Sequence, residues 1–524
     1  MNIVSFSPFG YEGSIVTVEV DLRRGIPAVD IVGLADGAIK ESRERMHSAI
    51  INSGFDFPKE RVLISLSPAD LKKEGAGFDL AIALAVLMSQ KRLEGMEEID
   101  GPILVMGELE LSGKVRPVRG IHAAVSTAFE CGVRNCIVCS ENKFEASGVE
   151  GMNVYECNYL SDAFECLEKI GKGEMDNCFS SRIDLEASEE TDFDNVQFPP
   201  VEDGTDFIEV KNQPFLVRGL QIAAAGRHNL LAYGSPGCGK TLALQRFVSL
   251  LPYLDEEEAR SVTRIHSLAG LVGREVSLVK KRPFRMPHQS ASLEGVCGGG
   301  IHCAPGEVSL AHNGVLFLDE AAEFRTSVLQ MLRVPLEQHN ITLCRAGRST
   351  VYPADFQLLL ATNPCPCGNF GSKDKICLCS MRSVEQYWKK FSGPLLDRID
   401  IRIPVESVTS SNHISLNVNE TAISSAQLRI GIARAIRAQK TRQGKYNSHL
   451  YPEEVNMYCG LSAECSQFLE KAAFDQGLSA RAVSSCKKLA RTIADIEGHG
   501  DIEFKDLQEA VEYRKNEGGV SLCC

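Results

Sequence analysis

Residues 234–241 read Gly-Ser-Pro-Gly-Cys-Gly-Lys-Thr, and further on Gly314-Val-Leu-Phe-Leu-Asp-Glu320 closes an apolar run on two acids. The first stretch has the G-x-x-x-x-G-K-[ST] spacing of a phosphate-binding loop, made here of Gly234, Ser235, Pro236, Gly237, Cys238, Gly239, Lys240 and Thr241. The glycines admit backbone angles that turn peptide N–H groups toward a phosphate. A helix beginning near Lys240 adds the positive end of its dipole. In this pattern the lysine reaches the β- and γ-phosphates and the threonine hydroxyl ligates magnesium.

The flanks agree with that reading. Asn229-Leu-Leu-Ala-Tyr233 has the apolar run of a short buried strand, and Leu242-Ala-Leu-Gln-Arg-Phe247 continues as a helix. A glycine-rich turn without chemistry would not need strand, loop, helix and a second acidic strand together. The expectation is a nucleoside triphosphate site using ATP and Mg2+.

Working outward, the chain of 524 residues is too long for one core and suggests about three domains at ~150 residues each. Residues 1–170 alternate strand and helix patterns, including a hairpin that turns at Ser112-Gly113, and read as an α/β domain. Residues 171–205 read as a solvated linker, because the run from Ile183 to Asp206 carries acids without Lys or Arg and ends near Pro199-Pro200. Residues 206–410 hold the nucleotide motifs on a parallel-sheet core, and 411–524 are helix-patterned.

Apolar content of 44% and charged content of 24% are ordinary for a globular chain. The formal charge of −13 argues against coating nucleic acid with the whole surface, and leaves room for a local basic channel. Met1-Asn-Ile-Val-Ser-Phe6 lacks the basic start and apolar core of a signal peptide, and no run approaches the ~20 apolar residues of a membrane span. The expected location is therefore cytoplasmic, without a membrane partner, with most of the 19 cysteines reduced.

Several longer motifs resemble the YifB/ComM-type magnesium-chelatase-like AAA+ ATPases along nearly the whole chain. They are Asp30-Ile-Val-Gly-Leu34, Ser67-Pro-Ala-Asp-Leu71, Gly298-Gly-Gly-Ile301, Pro305-Gly-Glu-Val-Ser-Leu-Ala-His312, Asn363-Pro-Cys-Pro-Cys-Gly368, Ser392-Gly-Pro-Leu-Leu-Asp-Arg398 and Ala490-Arg-Thr-Ile-Ala-Asp495. The resemblance implies a Lon-protease-like α/β domain, a AAA+ P-loop core with a parallel sheet, and a helical C-terminal lid. It implies a homo-hexameric ring, with a nucleotide at each interface. By the same resemblance Asp319 helps hold magnesium, Glu320 orients the attacking water, and Asn363 is the polar sensor of the γ-phosphate. Arg398 resembles a finger reaching a neighbouring subunit's nucleotide. Arg481, in Leu478-Ser-Ala-Arg481, resembles a second sensor that couples nucleotide state to the lid.

Departures from the family pattern occur at Ser65, His288-Gln289, Asn212-Gln213 and Ser484-Ser-Cys486, none of them in the phosphate loop or at Asp319 and Glu320. A Lon fold can carry a Ser-Lys protease dyad. The corresponding segments here offer Phe78 and Asp79 for the serine and His122 for the lysine, so the domain reads as a non-proteolytic scaffold or polynucleotide-docking ring.

Cys365, Cys367, Cys377 and Cys379 form a Cys-x-Cys pair of pairs that suits one structural Zn2+ or four reduced thiols in a tight turn. Lys280, Lys281 and Arg282, and separately Arg345 and Arg348, are candidate contacts to DNA phosphates, against a plain basic face or subunit contacts. The open choice is between a DNA helicase or branch-migration motor acting on single-stranded or branched DNA, a protein-remodelling ATPase with a protein partner, and a nucleotide switch.

Overall fold

The computed structural model describes residues 2–34, 36–69, 73, 75–90, 101–172, 191–193, 195–300, 303–345, 348–372, 375–406 and 423–515. In the N-terminal part, seven strands pair in the order Val29–Val32, Arg61–Ser67, Ser14–Arg23, Asn2–Ser7, Pro102–Met106, Asn135–Cys139, Asn153–Cys157. Their side chains alternate between faces. Ile3, Ile103 and Val105 point into one core with the helices Gly37–Asn52, Asp79–Gln90 and Leu160–Gly171. Val4, Leu104 and Met106 point into another, covered by Ile121–Glu130. The result is a three-layer α/β/α domain. Helix Asp79–Gln90 is buried continuously from Asp79 to Leu87, as its all-round apolar sequence requires. The expected hairpin is present, with Glu108–Leu109 paired to Val115–Arg116 and Gly113 at φ 85°.

The central sheet has five strands, all parallel, in the order Phe284–Arg285, Val315–Leu318, Gln357–Thr362, Leu230–Gly234, Ile401–Val405. Both faces are covered, so the strands read as unbroken apolar runs rather than alternating ones. Leu230 and Ala232 face one core, Leu231 and Tyr233 the other. Parallel strands share one carboxyl edge, and that edge receives the phosphate loop after Gly234, Asp319 after Leu318 and Asn363 after Thr362.

The C-terminal helices Ser425–Gln443, Pro452–Tyr458, Ala463–Gln476, Ala480–Glu497 and Phe504–Glu512 share a core with this sheet, through Leu428, Ile432, Leu489 and Ile493 beside Leu220, Leu230 and Ile403. Buried polar groups lock the junction. His228 lies 3.2 Å from Asp400 and 2.8 Å from Thr492, and Asn447 donates to Thr492 and Asp495. The low-dielectric interior strengthens such a network as long as every member is bonded.

The end of the segment read as a linker carries local structure. Thr191–Phe193 and Val196–Phe198 pair as a small hairpin, and Phe198 is fully buried beneath the Arg429 guanidinium, 5.0 Å from its ring. Burying one aromatic side chain contributes about 1.5–3 kcal/mol, enough to anchor a short acidic segment that composition alone marks as solvated. The earlier part of the acidic run lies outside the described residues. Among the described residues, no helix is long and apolar enough to cross a membrane.

Candidate active site

Gly237 and Gly239 sit at φ 82° and 88°, a backbone region where a side chain is strained, and a Cβ on either would meet nothing within 4 Å. The cradle is thus open above the loop. Gly234 is tight for a different reason: a Cβ there would stand 2.1 Å from the Val405 carbonyl oxygen of the adjacent strand. Helix Lys240–Arg246 starts directly after Gly239. Lys240 is 8% exposed, and its ammonium donates to the carbonyl oxygens of Gly234 at 2.7 Å and Ser235 at 2.9 Å. It also lies 3.5 Å from Asn363 Oδ1. The Thr241 hydroxyl donates to Asp319 Oδ1 at 3.1 Å.

Glu320 follows in the left-handed region at φ 47°, its N–H held by Asp319 Oδ1 at 2.9 Å, with the residue exposed. For a non-glycine residue this conformation carries strain of about 1–3 kcal/mol. Three carboxyl-edge loops therefore bring Lys240, Thr241, Asp319, Glu320 and Asn363 to one place. The donor set fits a triphosphate with magnesium: an open glycine cradle, one ammonium among neutral carbonyls, and a hydroxyl already paired with a carboxylate.

Arg398 and Arg481 lie in a second cluster. Ser479 caps helix Ala480–Glu497 by accepting from the Ala482 N–H at 3.1 Å, which places Arg481 in the first turn. Arg398 follows the short helix Gly393–Leu396 and is steadied by Asn229, whose side chain donates to the Arg398 carbonyl at 3.0 Å. Both guanidiniums converge on Glu337, Arg481 at 3.3 Å and Arg398 in a shorter ion pair. Arg398, foremost, holds the Glu337 carboxyl below its usual range. Neither arginine has a bond to the Lys240 cluster among the described residues. Glu337 has no sequence signature, since it sits in an unremarkable helical turn, Pro335–Gln338.

The cysteine loop touches the phosphate loop. Gly368 approaches so closely that a Cβ would lie 2.5 Å from Pro236 Cδ. The four sulfurs of Cys365, Cys367, Cys377 and Cys379 all lie within 4.8 Å of one another, with Cys365 to Cys367 at 3.3 Å and Cys365 to Cys377 at 3.7 Å. Zn–S bonds of about 2.3 Å place tetrahedral sulfurs at similar separations, so the set fits zinc. A backbone hydrogen bond from Asn369, foremost, draws the Cys367 thiol down, while Cys377 and Cys379 are held above the usual thiol range.

The basic segments fare unevenly. Arg282 is 8% exposed and fully engaged, donating to Glu258 at 2.7 and 3.2 Å and to the Asn313 carbonyl at 2.8 Å. A buried guanidinium must be paired, and this one ties helix Glu256–Ala269 to the sheet, which withdraws its charge from the surface. Lys281 is exposed and paired with Glu202 at 2.8 Å, and Lys280 is half-buried. Arg345 and Arg348 face each other at the end of the hairpin Asn340–Arg345 and Arg348–Pro353; their side chains lie outside the described residues.

At the positions of a Lon dyad, Asp79 is buried and held by Arg45 at 2.8 Å. His122 is buried with neither ring nitrogen bonded, and burial followed by Arg264 and Arg260 pushes its pKa down to about 3. Its backbone N–H instead docks this domain onto the core, donating to Ser267 Oγ at 3.2 Å.

Sequence comparisons agree with this architecture. Residues 206–413 match a family described as magnesium chelatase, subunit ChlI; residues 18–142 match subunit ChlI of Mg-chelatase, and 422–514 its C-terminal part. The chain is 36% identical over 517 residues to the competence protein ComM of Haemophilus influenzae, covering 98% of this chain and 97% of that one. It is 38% identical over 510 residues to the uncharacterized protein YifB of Escherichia coli, covering 96% and 95%. A Lon protease of Koribacter versatilis is 28% identical over 178 residues, or 32% of this chain and 21% of that one. Similarity running end to end across the Lon-like domain, the parallel-sheet core and the docked helices places the chain in the YifB/ComM family of magnesium-chelatase-like AAA+ proteins.

Proposed function

We propose that this chain is a magnesium-dependent ATPase that assembles as a ring, a hexamer in the simplest form, and drives DNA translocation of the helicase or branch-migration kind. The observation that carries the ATPase reading is the meeting of Lys240, Thr241, Asp319 and Asn363 at one carboxyl edge, with hydrogen-bond distances of 3.1–3.5 Å among them. In this reading Lys240 leaves the carbonyls of Gly234 and Ser235 for the β- and γ-phosphates. Magnesium held by Thr241 and Asp319 supplies neutralisation of phosphate charge. Glu320 and Asn363 orient the attacking water, and Glu320 accepts its proton. Arg398 leaves Glu337 and reaches the nucleotide of the neighbouring subunit, where it stabilises transition-state charge. Arg481, paired with the same carboxylate, links that event to the C-terminal helices.

DNA as substrate is supported by end-to-end similarity to a relative named a competence protein, and by exposed Lys281 with its neighbour Lys280. A second reading, remodelling of a protein partner, is favoured by the sequestration of Arg282 and the charge of −13. ATPase rates with and without single-stranded and forked DNA, at two salt concentrations, separate them. Stimulation by DNA that falls steeply with salt supports the motor; indifference to DNA sinks it.

The four cysteines would hold a structural zinc that stiffens the loop after Asn363, where Gly368 meets Pro236. Protein purified without added zinc should then carry one equivalent bound to wild type and none at this site in Cys365→Ser. Metal analysis finding only traces in wild type ends the idea.

A further inference from the structure

At the amino end of the same sheet, away from the phosphate loop, three side chains meet that the ATPase chemistry does not use. His339 ends the turn Pro335–Gln338, Asp355 precedes strand Gln357–Thr362, and His449 belongs to the C-terminal helical part, in the turn Asn447–His449. His339 Nδ1 lies 3.0 Å and His449 Nε2 3.3 Å from the same oxygen, Asp355 Oδ1. All three ligand atoms lie within 4.8 Å of one another.

The plain alternative is a carboxylate accepting two imidazole hydrogen bonds, which the distances allow. Asp355 Oδ1 is buried, and neither imidazole is well aligned on it as a donor. Three donor atoms of these types within 4.8 Å of one another also suit a metal ion. Metal bonds of about 2.0–2.2 Å separate neighbouring ligand atoms by about 3 Å. The other carboxylate oxygen is already fixed, receiving Arg227 at 3.3 Å, and the Asp355 N–H donates to His312 Nδ1 at 3.1 Å. Outer contacts of this kind orient a metal-binding carboxylate. The Arg227 charge is also met by Glu258, 3.9 Å away. His339 is exposed over 45% of its side chain, which leaves one side open for water as a further ligand.

We propose that His339, Asp355 and His449 bind a divalent d-block cation of the kind favoured by imidazole and carboxylate together, such as Zn2+, and that the ion clamps the C-terminal helices to the AAA+ core. Two nitrogen donors select against Mg2+ and Ca2+, which prefer all-oxygen sets. The clamp spans the junction of the two parts, and His339 lies two residues from Glu337, which holds Arg398 and Arg481. The site is independent of the cysteine cluster and of the ATPase reading.

The test is Zn2+ titration of metal-stripped full-length protein, with stoichiometry and melting temperature as readouts. Wild type should bind one equivalent more than His449→Ala, and its Zn2+-dependent rise in Tm should shrink in the variant by the share due to this site. His339→Ala should behave alike, which guards against a folding defect in one variant. A metal-free Tm close to wild type in at least one of them qualifies the comparison. A further readout needs no substitution. Co2+ added to wild type beyond the thiolate equivalent should give visible d–d bands without sulfur charge-transfer absorption. Equal Zn2+ stoichiometry in wild type and both variants, or no second Co2+ spectrum, overturns the proposal.

Discussion

The Lys240 centre and the Glu337 centre both hold cations next to protein oxygens, but they hold them differently. Lys240 rests on neutral carbonyls of its own loop, in a cradle shaped by contiguous residues. Arg398 and Arg481 share a carboxylate that is half-exposed, and they reach it from segments far apart in the chain. Neutral carbonyls yield readily to a phosphate. The exposed Arg481–Glu337 pair contributes only about 0–1 kcal/mol and yields readily when stronger negative charge is offered, while the more buried Arg398 is held more firmly. The first centre is complete within one chain. The second has no bond to the first among the described residues, and in the proposed reading it acquires its task when another subunit is present.

Substitutions can break that contrast in order of expected effect. Lys240→Ala should abolish ATP hydrolysis in steady-state assays and weaken nucleotide binding; turnover at the wild-type rate would remove the phosphate loop from the mechanism. Arg398→Ala should slow hydrolysis by ~10³–10⁵-fold while leaving nucleotide binding to the isolated chain intact. Loss of binding instead would mean that Arg398 belongs to the Lys240 centre. Glu320→Gln should keep binding and lower turnover by ~10²–10⁴-fold, the range for a positioned proton acceptor. Normal single-turnover kinetics in that variant would free Glu320 from its role and leave its left-handed backbone unexplained. Arg282→Ala should have the smallest effect on ATP turnover and show itself in stability. Stranding the partly buried Glu258 carboxylate costs at most about 3 kcal/mol, the low end for a broken buried pair, because Arg227 remains 3.9 Å away. A variant with unchanged melting temperature and weakened DNA binding would reverse the structural assignment.

What could be read from the sequence follows the same division. The phosphate loop, the acidic strand after it and the alternating N-terminal domain are local patterns, and each became the expected element. Chain separation hid the rest. Arg282 looks like part of a basic surface run until Glu258 is seen to bury it. Glu337 is an ordinary helical acid until two distant arginines arrive. Phe198 was hidden inside an acidic stretch. His339, Asp355 and His449 have no spacing rule to join them, since only the docking of the C-terminal helices brings His449 to the sheet. Contacts between distant segments decided all four.

The central claim is that one active site is assembled from two subunits, Lys240 from one and Arg398 from the next. The most direct measurement is the ATPase rate of Lys240→Ala protein mixed with Arg398→Ala protein. Each should be nearly inactive alone. Random co-assembly creates interfaces in which an intact Lys240 faces an intact Arg398, so the mixture should recover activity that rises with total protein concentration. A mixture no more active than its components, under conditions where the two chains demonstrably co-assemble, would contradict the shared site.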